Sequence, residues 1–238
     1  MAANIFLNQR STSSDTPPRL LQARGVTRLA AGRPLLDDVC FGVDAGDRIA
    51  LVGPTGSGKT LLLRCLAMLD PLDAGAVLWR GERVSGAQVP DYRSRVIYLH
   101  QRPAIAEGTV EDYLRQPFLM KIHHGKQFAP SRIVRMLEAL QRDESFLAKQ
   151  QRDLSGGEAQ LAALLRALQL DPVVLLLDEP TAALDAGTGQ LVEKLIASWT
   201  EEHRGGRATV WVSHDMQQAQ RVSDRAIRMA RGAICIAK

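Results

Sequence analysis

The stretch Gly53-Pro54-Thr55-Gly56-Ser57-Gly58-Lys59-Thr60 decides how this chain reads. It fits G-x-x-x-x-G-K-[ST] without a gap, and its flanks are the ones the pattern requires: apolar Ile49-Ala50-Leu51-Val52 before it and Leu61-Leu62-Leu63-Arg64-Cys65-Leu66 after it. The expected local structure is a strand, a loop and a helix. Gly53, Gly56 and Gly58 let successive backbone N–H groups converge on one centre, and the helix adds its positive N-terminal end. A polyphosphate fits there. Lys59 is expected to reach the β- and γ-phosphates as a point charge and the Thr60 hydroxyl to ligate a bridging Mg2+, while Pro54, Thr55 and Ser57 complete the cradle. A turn that binds nothing would need neither the lysine nor the hydroxyl.

Working outward, residues 20–26 and 39–43 read as strands around a turn at 30–34, and 48–52 as the strand entering the loop. Further strands are expected at 76–79, 95–99, 173–177, 209–212, 225–230 and 233–237, with helices at about 155–170 and 187–203. Residues 110–151 read as mostly helical, with Ile133, Met136, Leu137 and Leu140 at helical spacing. Continuous apolar strands alternating with helices predict an α/β fold of the P-loop NTPase class. Its core is a mainly parallel sheet, joined by an N-terminal antiparallel strand subdomain and a helical insertion over about 104–168. The domain spans 19–238, and the polar, aperiodic residues 1–18 read as a disordered tail.

Composition narrows the class. Of 238 residues, 45% are hydrophobic and 24% charged, which suits a soluble domain with a sizeable core. The apolar runs, such as 173–177, fall short of the roughly 18 to 20 residues that cross a bilayer, and no signal peptide opens the chain, so a cytoplasmic location is expected. Of the net charge of +4, the basic part lies in the middle: 115–152 holds eight Lys/Arg against three Asp/Glu. Without interleaved aromatics this reads as a solvated helical surface, with proximity to anionic lipid second and no nucleic-acid partner. Cys40, Cys65 and Cys235 are odd in number and far apart, and are expected as buried free thiols. His123 and His124 are adjacent, so their side chains point apart and do not make a metal pair.

Two more stretches carry chemistry. Val173-Val174-Leu175-Leu176-Leu177 ends in Asp178-Glu179, placing two carboxylates at the end of a buried strand, where open α/β sheets bind ligands. Asp178 is expected to hold Mg2+ beside Thr60, and Glu179 to act as general base for an attacking water. In Leu154-Ser155-Gly156-Gly157-Glu158, Ser155 and Glu158 read as a capping box. Paired glycines in a first helical turn weaken it by about 1 kcal/mol each relative to alanine, so Gly156 and Gly157 suggest a second anion site where a ligand approaches the backbone.

With Gln101 after a strand, Thr181-Ala182-Ala183-Leu184-Asp185 and Val212-Ser213-His214-Asp215, these stretches resemble, in order and spacing, the ATP-binding cassette (ABC) ATPases from about Leu20 onward. The resemblance implies ATP and Mg2+ as ligands, and a head-to-tail homodimer in which each ATP lies between one phosphate loop and the partner's Ser155-Gly156-Gly157. It also implies that Gln101 senses Mg2+ and the attacking water, that His214 contacts the γ-phosphate, that Asp185 crosses the interface, and that a separate membrane permease is driven from the inner membrane face. The family usually has an aromatic near positions 29–31 to stack on adenine, where this chain has Leu29-Ala30-Ala31. Ala159-Gln160-Leu161 stands where Gln-Gln-Arg is frequent, while Arg166 is retained. Within the family, 98–103, 108–114 and Pro117-Phe118 look most like small bacterial ATPase subunits for iron or other metal export, with phosphate import as the nearest competitor.

Overall fold

The computed structural model describes residues 19–103, 107–203 and 205–235. The tail expected at 1–18 and the end of the closing strand expected at 233–237 lie outside the described residues.

The chain opens with β1 (Leu21–Ala30) and β2 (Arg33–Val43), then β3 (Arg48–Val52) and α1 (Lys59–Leu66). There follow β4 (Ala74–Trp79), β5 (Glu82–Arg83), α2 (Val89–Arg95), β6 (Val96–Leu99), α3 (Val110–Arg115) and α4 (Pro130–Ala139). The last part contains α5 (Gly156–Gln169), β7 (Val174–Asp178), α6 (Ala186–Glu202), β8 (Ala208–Val212), α7 (Met216–Val222), β9 (Arg225–Ala230) and β10 (Ala233–Cys235). The strands form two sheets: an antiparallel one in the order β2-β1-β4-β5, and a six-stranded one in the order β10-β9-β3-β8-β7-β6. In the second, β6, β7, β8, β3 and β9 are all parallel, and only β10 runs against its neighbour.

The packing of strand β7 shows why its sequence is apolar up to Asp178. Val174 and Leu176 face a core shared with α1 and the antiparallel sheet, while Leu175 and Leu177 face a second core built from α3, α4, α5 and α6. A strand covered on both faces has no polar positions to alternate with. Arg207 ties the edge of the second core together: it is 4% exposed, sits over the Trp199 ring and bonds to Asp171, Glu202 and the Trp199 carbonyl.

Three expectations need correction. The middle of the chain is less helical than its spacing suggested, because α3 and α4 are short and the residues between them form 3-10 turns around Pro117 and His123. Helices α2 and α7 were not expected at all. Only Cys65 is buried: Cys40 alternates outward between inward-facing Val39 and Phe41, and Cys235 lies on an edge strand, so both thiols are exposed. No helix among the described residues is long and apolar enough to cross a membrane.

Candidate nucleotide site

Because β3, β6, β7 and β8 are parallel, their C-terminal ends meet at one edge of the sheet. Gly53, Gln101, Glu179 and His214 each follow one of these ends, which is where the chain has loop backbone free to hold a ligand. Gln101, Glu179 and His214 border an open cleft of about 760 Å³, lined also by Thr55 through Leu61, by Leu35 and by Arg64.

The loop at 53–60 is held open from within. Gly53, Gly56 and Gly58 have φ of 150°, 77° and 100°, values that side chains with a Cβ resist. A Cβ on Gly53 would lie 2.2 Å from the Met229 carbonyl oxygen, so the C-terminal hairpin presses directly on the loop. The same hairpin receives it by a second bond: Gly232 N–H donates to the Ser57 carbonyl at 3.1 Å, and the Gly232 carbonyl accepts from Asp37 N–H at 3.0 Å. Lys59 is 8% exposed, and its Nζ donates to the carbonyls of Gly53 at 2.8 Å and Pro54 at 3.0 Å. The ammonium thus already lies across the mouth of the loop, on the atoms a phosphate would displace it from.

Opposite the loop stand the carboxylates. Asp178, 2% exposed at the end of β7, accepts from the Thr60 hydroxyl through Oδ1 at 3.1 Å and from the Tyr98 hydroxyl through Oδ2 at 2.9 Å. Burial first, and then the charge of Asp178, raise the Tyr98 pKa, so this hydroxyl keeps its proton and donates. Glu179 does not continue the strand. Its φ of 49° turns it out of β7, with its N–H bonded to the Val212 carbonyl, and its Oε2 accepts from Gln101 Nε2 at 3.0 Å and lies 3.5 Å from His214 Nδ1. One carboxylate faces the loop threonine and the other faces the cleft.

The second glycine stretch lies apart from this cleft. Ser155 caps α5 and forms the expected box: its Oγ accepts from Glu158 N–H, while its own N–H donates to Glu158. Lys149 bonds to the other Glu158 oxygen at 2.5 Å and, with the Ser155 N–H, lowers the glutamate pKa to about 2. A Cβ on Gly157 would lie 2.9 Å from the Ala183 carbonyl oxygen and 3.0 Å from Leu184, so this glycine is needed by the chain's own packing. Gly156 has only ordinary contact, 3.7 Å, to Ala183. The chain's own packing thus accounts for Gly157, while Gly156 keeps room in front of it. Asp185 caps α6, and hydrogen bonds from the Thr188 hydroxyl and N–H hold its pKa down. Neither Ser155, Gly156, Gly157 nor Asp185 lines the cleft around the phosphate loop.

Two residues of the site were missed in the sequence. Tyr98 is one, and Leu35 is the other: this exposed side chain borders the phosphate loop near the place where the aromatic ring was expected. Arg166 packs its guanidinium 4.2 Å from the Tyr113 ring centre, on α3. No group of three or more metal-ligating His, Cys, Asp or Glu side chains occurs among the described residues, and His123 is buried while His124 is exposed.

Comparison with known proteins agrees with this geometry. The ABC transporter family matches residues 36–182. The chain is 37% identical over 216 residues to Protein STAR1 of Oryza sativa subsp. japonica, covering 90% of this chain and 61% of that one. It is 36% identical over 199 residues to the probable iron export ATP-binding protein FetA of Escherichia coli, covering 84% and 86%. A sulfate/thiosulfate import ATP-binding protein, CysA of Pseudomonas aeruginosa, is 34% identical over 218 residues, and the chain spans 65% of its length. Among solved structures, the dimeric post-hydrolysis state of the ATP-binding cassette MJ0796 bound to ADP and Pi superposes with a TM-score of 0.80 at 24% identity, covering 92% of this chain and 97% of that one.

Proposed function

The chain belongs to the ABC transporter family, and from that premise we propose that it binds and hydrolyses ATP as the motor subunit of a transporter. The observation that supports this most is the meeting of Lys59, Thr60, Gln101, Asp178, Glu179 and His214 around one cleft, although they come from four separate parts of the chain. The loop from Gly53 to Thr60 takes the phosphates, with Lys59 exchanging two carbonyls for phosphate oxygens. Glu179 is the general base. It removes a proton as the water oxygen attacks the γ-phosphorus and the bond to the β-phosphate oxygen breaks, releasing ADP and phosphate. Gln101 and His214 both face Glu179 Oε2, so they orient it and lie where they reach the water and the γ-phosphate.

Thr60 and Asp178 offer hard oxygen donors side by side, which fits Mg2+ held by one or two protein groups together with substrate phosphates. Such an ion would neutralise charge developing on the phosphates. Gln101 completes the set from the cleft side.

Ser155, Gly156 and Asp185 serve the partner's nucleotide in an ATP-induced homodimer, since they are exposed and outside their own chain's cleft. The dimer works on a separate transmembrane permease and sits on the inner face of the membrane through it. For the cargo we favour a metal ion, iron first, moved outward; the likeness to FetA supports this. The domain comprises 19–238 with a helical subdomain of about 104–168, whose α3, α4 and α5 share the second core.

Phosphate release from ATP tests the assignment. Glu179→Gln keeps the size of the side chain and removes the base, so turnover is expected to fall by about 100-fold or more while ATP still binds. Near-normal turnover in this variant would remove Glu179 from the role.

A further inference from the structure

Tyr98 is given no role by the sequence beyond its place in the stretch 98–103, yet its hydroxyl touches the carboxylate at the centre of the site. Its donation to Asp178 Oδ2 at 2.9 Å and the Thr60 donation to Oδ1 at 3.1 Å occupy one oxygen each. The Tyr98 ring is itself held, edge to face with His100 at 5.8 Å, in the wall of a second cleft lined by Tyr113 and Arg166. The carboxylate torsion of an aspartate is soft and broad, so the plane of a buried Asp178 with one donor would be free to swing about that bond. A second donor on a rigid ring removes that freedom. With Oδ1 kept as the acceptor of the Thr60 proton, the lone pairs of the Thr60 oxygen stay turned toward the cleft.

We propose that Tyr98 is a positioning residue that fixes Asp178, and through it Thr60, in the orientation that takes a divalent cation together with nucleotide. This rests on reading Thr60 and Asp178 as the cation pair. Tyr98 acts through Asp178 and does not touch the nucleotide, so its effect is confined to the cation-dependent part of binding.

The test measures affinity for ATP in EDTA and again in Mg2+, on protein carrying Glu179→Gln so that no turnover intervenes. The readout is the ratio by which Mg2+ tightens binding. Tyr98→Phe keeps the ring and is expected to leave affinity in EDTA unchanged, while the tightening ratio falls by about tenfold, the size of one hydrogen bond to a charged group. When Asp178 is already Asn, the same Tyr98→Phe change is expected to alter the ratio by less than about twofold, because the two residues act as one unit. A Tyr98→Phe ratio equal to that of the parent would overturn the inference while leaving the cation pair intact. A parent protein that Mg2+ does not tighten at all would overturn the cation-pair reading, and this inference with it. Thermal midpoints of the variants without nucleotide separate both outcomes from a loss of folded protein.

Discussion

Helix α1 follows a glycine and helix α5 starts on one, but the glycines answer to different neighbours. Before α1, three glycines with positive φ curl the loop, and the Met229 carbonyl and the Lys59 ammonium hold that curl in place. At α5 the first turn has ordinary helical geometry and is capped by a serine; Gly157 is small because Ala183 and Leu184 lie against it, and only Gly156 has room in front. The N–H groups of a first helical turn have no acceptor within the helix. The first stretch is thus braced by contacts from its own chain, and the second lies exposed, outside the cleft that its own phosphate loop borders. The difference fits the proposed dimer, in which the two glycine-rich stretches of one chain would serve two nucleotides rather than one.

The largest effect that would break this comparison is at Gly53. Replacing it by alanine drives a Cβ to 2.2 Å from a backbone oxygen at a φ of 150°, so the loop must shift. ATP affinity is expected to fall by about 100-fold or more, corresponding to roughly 3 kcal/mol of strain. Equilibrium binding of a fluorescent ATP analogue checks it, and unchanged affinity would mean that the loop is not the rigid member of the pair.

Mixing tests the division of labour between the two stretches. Lys59→Ala and Ser155→Arg each leave no intact shared site, whereas a mixed dimer has one intact site and one doubly altered site. Random pairing of independent sites predicts recovery to about a quarter of wild-type ATPase activity. If mixing restores nothing, and wild-type protein hydrolyses ATP at full rate as a monomer, the two stretches do not meet across an interface.

A smaller effect separates the two glycines of α5. Gly157→Ala is expected to destabilise the fold by about 1–3 kcal/mol through overpacking against Ala183 and Leu184, despite alanine's better helix propensity. Gly156→Ala is expected to be neutral or to stabilise by up to about 1 kcal/mol, while weakening ATP-induced dimerisation. Urea midpoints of the two variants decide it; equal destabilisation would undo the distinction.

The smallest effect is in the cap. The Glu158 pKa is depressed to about 2, by Lys149 first and then by the Ser155 N–H, so its contribution is fully present above the ordinary range near pH 4.5. That contribution fades as pH falls from there toward 2. Glu158→Gln is expected to cost about 1 kcal/mol at pH 7 and progressively less below pH 4, read as converging thermal midpoints. Midpoints that stay parallel would place the cap's strength elsewhere.

The parts legible in the sequence were those whose cause is local. The loop at 53–60, the carboxylates at 178–179 and the capping box at 155–158 are contiguous, and their chemistry is written in adjacent residues. Helix α2 was illegible because it has seven residues and a single buried side chain, Tyr92, too few to show a period. Its proline at the start was the available signal. Tyr98 was illegible for another reason. Its hydroxyl meets Asp178 only because β6 lies parallel to β7 in a register that pairs Tyr98 with Leu176, and nothing near Tyr98 in the chain specifies that register. The role of Gly157 likewise depends on Ala183, a residue from a different loop.

The hairpin of β9 and β10 bears on how the protein comes to exist in the cell. The carbonyl of Met229 and the N–H of Gly232 that brace Gly53 and Ser57 are neighbours of the loop in space but follow it by about 175 residues in the chain. During translation, at about 5–20 residues per second, the phosphate loop emerges many seconds before its brace. Contacts of such long sequence separation form late, because the intervening chain must be ordered before they close. A nascent chain that has not yet reached Met229 therefore carries the complete loop sequence without its brace, and the braced loop can form only after β9 and Gly232 have been added.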